Sequence, residues 1–158
     1  MQARLNYMHA DPKGLRLLLA VEGHIKTSPL EPRLLHLVKL RASQINGCAF
    51  CIDMHSKDAR ADGETEQRLY ALDAWEEVPF YSERERAALA WTEAVTILSN
   101  GHAPDSAYEK VRAQFSEAEI GALTLAIAMI NSWNRLNVAF RTEAGGYRPG
   151  MFAGLSTT

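Results

Sequence analysis

A chain of 158 residues is long enough for one domain with its own core and too short for two ordinary ones. With 47% hydrophobic and 23% charged residues and a formal net charge of -2, it has the balance of a soluble globular protein. Basic stripes for nucleic acid and polybasic runs for an anionic membrane are both excluded.

The first residues carry no basic segment leading an apolar one, and the most apolar run, 123–130, is far shorter than a membrane span. A cytoplasmic location is therefore expected. In a reducing compartment a close cysteine pair serves redox or metal chemistry more often than it serves as a structural staple.

The predicted elements are all helical. Pro12 opens the first, with Leu15, Leu18, Leu19 and Glu22 at helical spacing. Pro32 opens the second, with Leu34, Leu37, Val38 and Ile45 on one side. Asn46-Gly47 reads as a turn between helices, and a third helix runs from about Cys48 to Asp62, stopped by Gly63. A fourth covers 64–75. Ser82 and Glu85 form a capping box for a fifth that runs through Ala88, Trp91, Val95 and Leu98. Pro104 and Asp105 open a sixth. Ser116 and Glu119 form a second capping box, heading the long apolar seventh helix to about Phe140. The tail from Gly145 is rich in Gly and Pro and is expected to wrap the surface or a partner. The expected architecture is all-α: one domain over 1–158, a bundle of about seven helices. The last long helix is apolar on more than one side, so it needs cover from its own bundle or from another subunit.

Chemistry concentrates in Cys48-Ala49-Phe50-Cys51-Ile52-Asp53-Met54-His55. Offsets of three and four residues put Cys48, Cys51 and His55 on one helical face. Cys48 falls in the first turn, where unpaired N–H groups and the helix dipole lower a thiol pKa. His55 lies one turn past Cys51 and can take its proton. The dipole favours Cys48 as the more acidic thiol; pairing with His55 favours Cys51. A zinc site is the alternative, with Cys48, Cys51 and His55 as three ligands and His24, His36 or His102 as a fourth. No second Cys pair or His-x-x-x-His completes it, so no metal is expected. Absence of a Gly-rich phosphate loop or haem-attachment motif leaves no cofactor in the reading.

The string from Leu40 to His55, Leu-Arg-Ala-Ser-Gln-Ile-Asn-Gly-Cys-Ala-Phe-Cys-Ile-Asp-Met-His, resembles the core of the alkylhydroperoxidase D-like branch of the carboxymuconolactone decarboxylase family. Ile130-Asn131-Ser132-Trp133-Asn134-Arg135 resembles that family's last-helix segment. The likeness runs from the second helix to the seventh. It implies an all-helical fold assembled as a homo-oligomer, a trimer, hexamer or similar ring. It also implies a peroxidase that reduces hydroperoxides, with a dithiol protein or small dithiol as reductant. In that pattern Cys51 is the attacking thiolate, Cys48 the resolving, solvent-facing thiol, and His55 the proton relay. Two positions depart from it: His36 stands where the family carries a relay Glu, twelve residues before the first Cys, and Phe50 stands where it carries a His. His36 can accept a proton at neutral pH and is the altered relay candidate. Glu93 is a carboxylate weighed for that role, against a plain surface position. Arg41 and Arg135 are expected in ion pairs with Glu93 or Asp53, inside the bundle or at a subunit contact. Two rival readings stay open: a cofactor-free lyase acting on a lactone acid, and a redox-sensing oligomer without turnover.

Overall fold

The computed structural model describes residues 2–152. Among them there are eight α-helices, one 3-10 turn and no strand: α1 (Tyr7–Ala10), α2 (Pro12–Lys26), α3 (Pro32–Ile45), α4 (Ala49–Ala61), α5 (Glu66–Tyr70), the 3-10 turn Leu72–Ala74, α6 (Glu83–Thr96), α7 (Asp105–Arg112) and α8 (Glu117–Phe140). No helix among the described residues is long and apolar enough to cross a membrane.

The middle of the bundle is α3. It packs against α4, α6 and α8, while α8 also meets α2, α4, α6 and α7. The amphipathic pattern of α3 explains this placement. Leu34 and Val38 face one core, shared with Ala88, Trp91, Leu123 and Ile127. Leu37 and Leu40 face another, shared with Leu69, Leu72, Trp75 and Leu89. A helix buried on two sides becomes a wall between two cores. At its C-terminal end a third, smaller cluster of Ala42, Cys48, Cys51 and Ile130 forms, with Phe50 and Trp133 packed against it.

The helix starts follow local chemistry. Both capping boxes are formed: Ser82 and Ser116 accept from the backbone N–H of Glu85 and Glu119, whose carboxylates accept in return. Asn6, Asp11 and Thr65 cap α1, α2 and α5 with their side-chain oxygens.

Three expectations are corrected. The short α1 precedes the predicted first helix. The predicted 64–75 helix is broken into α5 and the 3-10 turn. Its buried apolar residues, Leu69, Leu72 and Trp75, recur every three positions, and three residues per turn is the 3-10 period. The fifth helix stops at Thr96, and Leu98 beyond it is exposed, outside the buried stripe. The apolar α8 is covered by its own bundle on most of its circumference. Ala118, Gly121, Leu125, Ala128, Val138 and Ala139 remain open to solvent.

The tail folds back on α4. Lys57 Nζ donates to the carbonyls of Gly145 (3.2 Å) and Tyr147 (3.1 Å). Buried Tyr147 donates its hydroxyl to Asp58 at 2.8 Å. Residues 153–158 of the tail lie outside the described part.

Candidate active site

The approach to the thiols is a helix end and a helix start joined by one glycine. After α3, the N–H of Gly47 bonds to Gln44 O (3.1 Å) and that of Cys48 to Ser43 O (3.0 Å). This is a Schellman ending, and it requires the left-handed conformation that Gly47 adopts at φ +63. The ending delivers Cys48 to the N-cap of α4, one residue before the first turn where its spacing predicts it. Buried positions 48, 51, 55 and 59 then share one face, as the periodicity requires.

Both cysteines are free thiols and both are sealed, with relative exposures of 1% for Cys48 and 0% for Cys51. The solvent-facing Cys48 implied by the family resemblance is therefore corrected: Phe50, Trp133 and Ile130 close over the pair. The two sulfurs share a hydrogen bond, and that bond divides their acidities. It pulls Cys48 down to about 7, outweighing burial, with further help from the backbone N–H groups of Cys51 and Phe50 and from the Asn134 side chain. The same bond, together with burial, pushes Cys51 upward. Of the two openings left by the sequence, the lower pKa falls to Cys48, and the first cause is its partner sulfur rather than the helix start, where the Cys48 side chain makes no capping hydrogen bond.

The histidines do not join the sulfurs. His55 is 6% exposed and neither ring nitrogen has a hydrogen-bond partner. Burial holds its pKa well below the ordinary value, and the charges of Lys39 and His36 add to that effect. It makes no hydrogen bond to Cys51, the pairing that the spacing predicts. His36 is placed beside it from α3, but its Nε2 is taken by Asp62 at 2.7 Å, at the far end of α4. Glu93 is structural: its Oε1 accepts from Arg41 Nε (2.8 Å) and Trp75 Nε1 (2.7 Å). Arg41 thus forms the ion pair expected of it inside the bundle, while within this chain Arg135 bonds to Asn131. Among the described residues no three His, Cys, Asp or Glu side chains converge as metal ligands.

What the sequence reading missed comes from the other side of the site. Three asparagines on α8, Asn131, Asn134 and Asn137, are buried. Asn137 Nδ2 lies 3.4 Å from Cys51 Sγ. Asn134 Nδ2 donates to Ser43 Oγ at 3.0 Å, and its Oδ1 accepts from Asn46 Nδ2 at 2.9 Å. Asn46 also donates to Asn131 Oδ1 at 3.0 Å. Amides at intervals of three in an otherwise apolar helix were the available signal, since buried polar groups need partners. Tyr7 of α1 is the second addition. Its ring contacts those of Trp133 and Phe140, each at 6.2 Å between centroids. Burial, and next the charge of Cys51, raise its pKa to about 12.

Residues 12–94, just over half of the chain, match the carboxymuconolactone decarboxylase family. The uncharacterized protein YdfG of Bacillus subtilis is 44% identical over 144 residues, spanning 91% of this chain and 98% of its own.

The chain belongs to the carboxymuconolactone decarboxylase family.

The structural comparison extends this beyond α6, where the sequence match to the family ends. A solved protein of unknown function from Agrobacterium tumefaciens, for which a role as the antioxidant defence protein AhpD has been suggested, superposes with a TM-score of 0.89. It is 47% identical, and the alignment covers 92% of this chain and all of that one. The debrominase Bmp8, at 24% identity and a TM-score of 0.67, over 74% of this chain and 62% of that one, shares the fold. The thiol motif lies within the matched family segment, while the three asparagines of α8 lie beyond it.

Proposed function

We propose that this carboxymuconolactone decarboxylase family member is a dithiol peroxidase that reduces small hydroperoxides by cycling Cys48 and Cys51 between dithiol and disulfide. The observation that carries the reading is the hydrogen-bonded pair of free thiols at the start of α4, with Cys48 drawn down to about 7. At neutral pH a large fraction of such a thiol is the nucleophilic anion. The likeness to the Agrobacterium protein with its suggested antioxidant role supports the same chemistry.

In this reading Cys48, not Cys51, attacks. Its thiolate bonds to the terminal oxygen of R–O–O–H and the O–O bond breaks. The alkoxide leaves and takes up one proton, equal to the one Cys48 released on ionising. Cys51 then attacks the sulfenic sulfur of Cys48: the S–S bond forms, and hydroxide leaves with the Cys51 proton as water. Two electrons have passed from the thiols to the peroxide, giving an alcohol and water. A dithiol, protein or small molecule, returns two electrons and two protons by exchange. The cycle needs a reducing compartment, consistent with a cytoplasmic protein. Neutral His55 and the His36–Asp62 pair touch no sulfur. The sealed thiols favour small oxidants over bulky ones.

The test is a single turnover. Reduced protein is mixed with one equivalent of a small organic hydroperoxide, ethyl hydroperoxide, quenched, and its free thiols and intact mass are measured. The expected result is loss of both thiols with loss of two hydrogens. In Cys51→Ser a sulfenic acid should be trapped by dimedone at Cys48, and Cys48→Ser should consume no peroxide. Labelling of Cys51 in the Cys48→Ser protein would reverse the roles. Survival of both thiols with the peroxide intact would sink the reading and bring the lactone-acid lyase forward, since that activity survives thiol blocking.

A further inference from the structure

We propose that the side-chain amides of Asn134 and Asn137 are the donors that hold the sulfur anion of the thiol pair, and that Ser43 and Asn46 lock Asn134 in its donating orientation. The inference rests on the reading of the two sulfurs as the working centre.

Hydrogen-bond direction fixes how these amides are turned. Ser43 spends its single proton on the carbonyl of Lys39, at 2.7 Å. Its oxygen can therefore only accept from Asn134, so the Nδ2 edge of Asn134 must face it. From the other side, the Asn131 amide donates to Ile127 O (2.9 Å) and Thr96 Oγ1 (3.0 Å). This leaves Asn131 Oδ1 as an acceptor, and Arg135 donates to it as well. Asn46 must then present its Nδ2, which meets the Oδ1 of both Asn131 and Asn134. A flip of the Asn134 amide would set N–H against N–H at Asn46 and oxygen against an oxygen with no free proton at Ser43. Asn134 is fully buried, so no water relieves that conflict.

One Nδ2 hydrogen of Asn134 is spent on Ser43. The other is left for the thiol pair, and both thiolates are favoured by a hydrogen bond from this side chain. Asn137 repeats the arrangement one step along α8. One of its Nδ2 hydrogens goes to Trp133 O at 3.0 Å and the other to Cys51 Sγ at 3.4 Å. The sulfurs thus sit between the start of α4 and the amides of α8. Asn137 touches a reacting atom; Ser43 and Asn46 act through Asn134 and are positioning residues. Tyr7 faces Cys51 from α1 but keeps its proton to about pH 12, well away from the thiol titration.

The test reads the thiol, not the turnover. Reduced wild-type, Asn134→Ala, Asn137→Ala and Ser43→Ala proteins are titrated by thiolate absorbance and by iodoacetamide alkylation across pH 5 to 10. Peptide mapping assigns each rate to its cysteine. Asn134→Ala should raise the midpoint for Cys48 by roughly one pH unit and slow its alkylation at pH 6 by roughly fivefold, since a less acidic thiol is slightly more nucleophilic. Ser43→Ala should shift it the same way by less, with Ser43→Thr restoring it. Asn137→Ala should raise the midpoint of Cys51 in a Cys48→Ser background, a readout that stands if Asn134→Ala fails to fold. Folded Asn137→Ala and Ser43→Ala proteins with unmoved midpoints would overturn the proposal even if peroxide is still consumed. Moved midpoints in a protein that consumes no peroxide would uphold it while the peroxidase reading fell.

Discussion

His55 ties stability to pH through its burial. Its pKa in the folded protein lies well below the ordinary 6.5. Between the folded value and 6.5 the unfolded chain binds a proton that the folded chain refuses. Folding is therefore favoured above pH 6.5 and loses stability as pH falls below it, by at most about 1.4 kcal/mol per pH unit. Urea unfolding at pH 5, 6, 7 and 8 should show this slope. His55→Leu should flatten it without loss of stability at pH 8, since two unpaired ring nitrogens disappear. An identical slope in the variant would assign the effect to other groups. At the same scale, Cys48 and Cys51 were legible as a pair because three residues is a fixed offset on a helix. Their unequal acidities were not, because the deciding hydrogen bonds come from the partner sulfur and from α8 as well as from the helix start.

At the scale of elements, the α3–α4 junction is the part the thiols depend on. Gly47 adopts φ +63, and a Cβ placed there would meet no atom within 4 Å. Replacement by Ala therefore adds backbone strain and no clash, about 1 kcal/mol. Gly47→Ala should lower the melting temperature by about 2–4 °C. A scanning calorimetry trace unchanged from wild type would show that the junction relaxes freely. Helix starts were readable from Ser82, Glu85, Ser116 and Glu119 because a cap is completed within four residues. The break between α5 and the 3-10 turn was not. There Tyr81 bonds to the carbonyl of Arg68, and the Arg68 side chain is held by Glu64 (2.9 Å) and Glu85, a partner on α6.

At the scale of the whole molecule, the tail and α4 are fastened to each other on the helix that carries the thiols. Asp53 accepts from Lys57 (2.9 Å) and from the Gly145 N–H (3.1 Å), so Lys57 and Asp53 together clamp the tail. Lys57→Ala removes the donor to two tail carbonyls and should expose Tyr147. Chymotryptic cleavage after Tyr147 should then be severalfold faster than in wild type, followed by mass spectrometry. Equal rates would mean that the hydroxyl bond to Asp58 and the Tyr147–Phe152 ring contact hold the tail alone.

The sequence by itself determined the helical class, the capped starts of α6 and α8, the turn at Gly47 and the placing of Cys48, Cys51 and His55 on one helical face. Each of these depends on neighbours within one or two helical turns. Only the tertiary structure decided what those side chains meet. It buried both thiols under Phe50 and Trp133, tied His36 to Asp62, left His55 without a partner and brought Asn134 and Asn137 to the sulfurs. Those contacts join residues tens of positions apart, and the packing of α3, α4 and α8 against one another is what closes them.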